Sequence, residues 1–132
     1  RLKRGHGHGE RLFLEKVWWP LFGHFAGLHP EYEVADWRGM KFFVDFMYIA
    51  SETRIAIEIK GYGPHVQQTD RTRYKNELNR ELFLQSLGCQ VISIPYDELE
   101  SNHDLIKMFV RMILSRYTAA THRDAGVSRI ER

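Results

Sequence analysis

One mixed β-sheet with helices on both faces is the fold this chain predicts, and three observations carry it. Helical segments stand at about residues 9–22, 70–87 and 101–117. Strand-like runs fill the space between them, three before the second helix and one after it. The resulting order, α-β-β-β-α-β-α, predicts a meander of three strands and a fourth that returns through a helix, by a right-handed crossover, to a parallel neighbour.

The first helix runs from about Gly9 to Phe22, where Leu12, Phe13, Val17, Trp18 and Leu21 recur at helical spacing. Pro20 comes late in that pattern and kinks or ends it. Residues 23–30 read as a connector and Tyr32–Asp36 as a short strand, with Arg38-Gly39 as the turn into Phe42–Tyr48. Ser51-Glu52 turns into Arg54–Lys60, and residues 61–69 form a loop rich in Gly and Pro. The second helix spans Asp70 to about Leu87, and Gly88 stands where a helix C-terminus wants it. Gln90–Ile94 is the last strand, stopped by Pro95. A third helix from Ser101 to about Tyr117 carries Leu105, Met108, Phe109, Met112 and Ile113 as its buried stripe. The chain thus divides into a flexible basic segment (1–9), a folded domain (10–117) and a polar tail (118–132).

Composition fits such a domain. The 132 residues are 43% hydrophobic and 13% aromatic, which excludes disorder, and charges interrupt every apolar run, which excludes a membrane span. The single cysteine, Cys89, has no disulfide partner within the chain and reads as a buried thiol of a reducing compartment, the cytoplasm. Net charge is only +2, but it is unevenly spread. Arg71, Arg73, Lys75 and Arg80 crowd the second helix with Glu77 as the main internal counter-charge, and Arg1, Lys3 and Arg4 cluster at the start.

The chemistry sits on two strands. Glu58 and Lys60 are two apart in Arg54–Lys60, so they share one face while Ile55, Ile57 and Ile59 fill the other. Asp45 lies among aromatics in the preceding strand, where a carboxylate is costly unless paired or metal-bound. Two acids and an ammonium converging on one face is what metal-assisted phosphodiester hydrolysis requires.

This constellation resembles the PD-(D/E)xK nuclease superfamily. After Lys60 come Gly61, His65, Asp70, Arg80, Leu84, Gly88 and the strand Gln90–Ile94, an order similar to the small branch related to very-short-patch-repair endonucleases. The likeness covers roughly residues 10–98. At Lys60-Gly61 the chain follows the broader superfamily rather than the Asp-Gly of many members of that branch. With one cysteine it lacks that branch's zinc site, and Ser93 stands where a basic residue is expected.

The resemblance implies a restriction-endonuclease-like core whose sheet opens over Asp45 and Glu58. It implies that these two and the Ile59 carbonyl hold Mg²⁺, with Mn²⁺ as substitute, and that Lys60 orients or helps deprotonate the attacking water. His65 is a further catalytic candidate. An acid on the first helix is expected too: Glu10 and Glu15 are about 140° apart on a helix, so only one can face the site. Glu10 shares a face with Leu14, Val17 and Leu21 and is preferred for that reason, while family spacing favours Glu15. DNA is the expected substrate, held by Arg71, Arg73, Lys75 and Arg80. A DNA- or partner-binding module that keeps the fold without catalysis is the alternative, and a homodimer or fusion to further domains stays open.

Overall fold

The computed structural model describes residues 7–61 and 70–131, with side chains for 7–61 and 71–117. Its elements are helix α1 (Gly7–Leu12), a π-helical segment (Phe13–Trp18), α2 (Trp19–Phe22), β1 (Leu28–Ala35), β2 (Lys41–Ala50), β3 (Thr53–Lys60), α3 (Asp70–Ser86), β4 (Gln90–Pro95), α4 (Tyr96–Ser101) and α5 (His103–Glu131). The strands form one mixed sheet in the order β1-β2-β3-β4, antiparallel except for the parallel pair β3–β4. The α/β architecture and the α-β-β-β-α-β-α order follow the expectation. No helix among the described residues is long and apolar enough to cross a membrane.

Two cores lie against the sheet. On one face Phe46, Ile55, Ile57, Ile59 and Ile94 pack with Phe13, Val17 and Trp18 of the π-helical segment and with Leu99, Ile106, Val110 and Leu114. On the other, Phe42, Val44, Met47 and Ala56 pack with Leu84 of α3 and with Cys89. Alternation along β3 is regular, as period two demands. Along β2 it slips: Phe42 and Val44 serve the second core, whereas Phe46 and Tyr48 serve the first. β1 slips at the matching place, with Leu28 in the first core and Tyr32 and Val34 beside the second. The slip falls between the pairs Pro30↔Phe46 and Tyr32↔Val44, where Glu31 takes a positive φ of 46° opposite Asp45.

Several elements depart from the sequence reading. The first helix begins at Gly7 and widens into a π-turn, closed by the Trp19 N–H donating to the Leu14 carbonyl. That wider turn puts both Val17 and Trp18 in the core, and Pro20, which lacks an N–H, follows directly after it near the end of the helix. β1 starts at Leu28 and includes Pro30, which an edge strand tolerates. α4 was not foreseen. Pro95 precedes it and Asp97 and Glu98 favour the positive end of its first turn. α5 runs on to Glu131, past the expected end near Tyr117.

The buried stripe of α5 is also corrected. Ile106, Val110 and Leu114 are buried, while Met108, Phe109 and Met112 are exposed and Leu105 and Ile113 lie between. Apolar residues cover a wide arc of this helix, and the contact with the π-helical segment selects its 106–110–114 row. α3 ends as expected: Gly88 adopts φ +93°, its N–H donates to the Gln85 carbonyl, and the Cys89 N–H donates to that of Leu84.

Candidate active site

β2 and β3 part where the acids stand. Their last pair is Phe46↔Ile57; one step further are Asp45 and Glu58, which do not pair. Asp45 is only 3% exposed, and its Oδ2 accepts the Ile59 N–H at 2.8 Å. The carboxylate therefore reaches across the gap to β3 instead of joining either core. Among the described residues, no ammonium or guanidinium pairs with it. In an extended residue the N–H and C=O project to the same edge, so the Ile59 carbonyl faces this gap too.

Glu58 alternates with the buried Ile57 and Ile59 and is half-buried. On its other side β3 pairs in parallel with β4, where Glu58 stands beside Ser93 and Lys60 beside Pro95. Lys60, Gly61, Ser93 and Pro95 line an open pocket of about 300 Å³ at this end of the sheet. The Lys60 Nζ lies 3.8 Å from an Oε2 of Glu77 on α3, both side chains partly exposed. Glu77 stands out in the sequence as a counter-charge within a basic run. Its partnership with Lys60 was not legible, because it depends on how α3 lies over the sheet.

The two helix acids separate. Glu10 is buried at 7%, whereas Glu15 is exposed on the outer side of the π-helical segment. Gly9 explains the depth of Glu10. A Cβ at residue 9 would come within 3.2 Å of the Ile59 side chain and the Tyr96 ring, so glycine lets α1 approach the end of β3 closely.

The basic residues separate as well. Arg71, Arg73 and Lys75 are exposed on the first turns of α3. Arg80 does not share their exposure. It shares the sheet-facing side with Glu77 and Leu84, its guanidinium lies 5.1 Å from the Phe42 ring centroid, and its buried Nε makes no hydrogen bond. Helical spacing accounts for this, since residues 77, 80 and 84 fall on one face. His65 lies outside the described residues, as do Arg1, Lys3 and Arg4.

Among the described residues no three His, Cys, Asp or Glu side chains are gathered to hold a metal ion. A three-acid centre including Glu10 is therefore not assembled. Two strand carboxylates and one carbonyl do fit Mg²⁺, which binds through one or two protein carboxylates and fills its remaining positions with water and phosphate. A buried carboxylate with one hydrogen bond and no cation is itself a place for positive charge. The chain matches no protein-family model, no curated protein and no solved structure.

Proposed function

We propose that this protein is a metal-dependent nuclease of the PD-(D/E)xK kind, hydrolysing phosphodiester bonds of DNA. One observation carries the reading: Asp45 on β2, buried and without a cation among the described residues, stands at the register position opposite Glu58 where the sheet opens, and Lys60 follows two residues after Glu58 on β3.

Asp45, Glu58 and the Ile59 carbonyl would hold Mg²⁺, which supplies Lewis-acid activation of a phosphoryl oxygen and of a water. The Ile59 N–H orients the Asp45 carboxylate by holding Oδ2. Lys60 brings a positive charge to the same strand end and offsets negative charge that grows on the phosphoryl oxygens. Arg71 and Lys75, which share one face of α3, and Arg73, on the other side, offer exposed positive charge for flanking phosphates. A reducing compartment such as the cytoplasm suits the buried free thiol of Cys89, which burial pushes up in pKa against a smaller opposing influence of Arg54.

A second reading has its own observation. Tyr74, Leu78 and Leu82 form an exposed row on α3, beside a groove of about 400 Å³ lined by Trp37, Asn79, Leu82 and Phe83. Such a surface suits a partner-binding module. Incubation of the protein with plasmid and linear duplex in Mg²⁺, Mn²⁺ or EDTA decides between them. Metal-dependent cutting lost in Asp45→Asn supports the nuclease; no cutting of any DNA supports the module.

A further inference from the structure

We propose that Glu77 is a positioning residue for Lys60, an inference that rests on the nuclease reading and deepens it. Lys60 is the last residue of β3, and its long side chain is partly exposed. A lysine carries four rotatable bonds, so its ammonium holds one place only if something holds it there. Glu77 does so from the opposite layer: its Oε2 lies 3.8 Å from Nζ.

The rest of α3 fixes Glu77 in turn. Arg80, one turn further along, stacks over Phe42, and Leu84, one turn beyond that, is buried in the core beneath the helix. The row 77–80–84 thus ties a carboxylate over the end of β3 to two anchors on the sheet. Arg80 anchors on Phe42 of β2 and Leu84 on the core under the helix, so the carboxylate that reaches Lys60 is held by a helix docked on the sheet. An acid so close to a surface meant for phosphates would oppose DNA binding, which argues that its place is owed to the lysine.

Four proteins test this: wild type, Glu77→Gln, Lys60→Ala and the double variant. Glu77→Gln is nearly isosteric at a partly exposed site, and a thermal melt confirms its fold. Expected first, in metal-free protein, is an NMR change: the Lys60 terminal methylene is ordered in the wild type and averages over rotamers in Glu77→Gln. Expected second, in single-turnover cleavage, is a maximal rate lower by about ten- to a hundredfold, the cost of misplacing one group. DNA affinity should be unchanged or tighter. In the Lys60→Ala background the same substitution should change nothing further, because a residue acting through Lys60 has nothing left to act on.

An equal loss in both backgrounds, an unaltered rate in Glu77→Gln, or a Lys60 side chain equally mobile in both proteins overturns the proposal while leaving the nuclease intact. Absence of cutting by the wild type overturns the nuclease reading and this role with it.

Discussion

The Asp45 carboxylate and the Ile59 amide are joined across the gap between β2 and β3 at 2.8 Å, two residues past the last pair on β3. A side chain thus makes a bond that backbone makes elsewhere in the sheet. The arrangement keeps Ile59 satisfied while the strands separate, and it leaves the carboxylate buried without a counter-ion among the described residues.

Asp45→Asn and Asp45→Ala should therefore differ. The amide oxygen of Asn still accepts from Ile59, whereas Ala leaves a buried N–H unpaired at a cost of about 1–3 kcal/mol. In EDTA, urea unfolding should place Asp45→Asn level with or above the wild type, since it removes a buried carboxylate to which the described residues offer no cation. Added Mn²⁺ should raise the wild-type midpoint and leave both variants unmoved. Equal Mn²⁺ stabilisation of Asp45→Asn would remove Asp45 from the metal site.

Lys60→Ala should keep that Mn²⁺ stabilisation and lose about a hundredfold or more in single-turnover rate, the usual cost of deleting one preorganised charge. Lys60→Arg should not restore it, because the planar guanidinium extends further than a point-like ammonium. Full activity of either variant would take Lys60 out of the mechanism.

Arg71, Arg73 and Lys75 are exposed together on α3, so neutralising all three should weaken DNA binding and flatten its salt dependence. Each lost phosphate contact should lower the slope of log affinity against log salt by about one. Fluorescence anisotropy across a salt series reads this, and an unchanged slope assigns these charges to plain solvation.

Asp36 makes a separate, structural prediction. Burial alone would push its carboxyl up, but hydrogen bonds from the Arg38 side chain and the Arg38 and Met40 amides outweigh that and hold it below the ordinary value. A depressed carboxyl stabilises the fold above its unfolded pKa of about 3.9 and loses that contribution as pH falls through the lower folded value. Urea midpoints measured from about pH 7 down to about pH 2.5 should fall more steeply for wild type than for Asp36→Asn. Parallel curves would show that the turn gains nothing from the charge.

Period-two alternation in Arg54–Lys60 was enough to place Ile55, Ile57 and Ile59 inside and to bring Glu58 and Lys60 to one strand end. Gly88 marked the end of α3 because few other residues adopt its backbone angle readily. The misreading of α5 has the opposite cause. Both Ile106–Val110–Leu114 and Leu105–Phe109–Met112 are helical rows, and only the docked neighbour decides which is buried. The same holds for Glu77 and Arg80, whose meaning comes from the layer they face. The π-turn left no periodic trace, since five apolar residues fit an α-helix equally well.

The slip at Asp45 also determines how tolerant this strand is of change in length. Before it the even-numbered residues Phe42 and Val44 face one core, and after it Phe46 and Tyr48 face the other while Met47 returns to the first, so adding one residue on either side would send each block of large side chains to the wrong face. Asp45 itself is claimed by neither core. Any shift of that point disrupts one of them. The chain thus fixes the place of this carboxylate by the packing on either side of it.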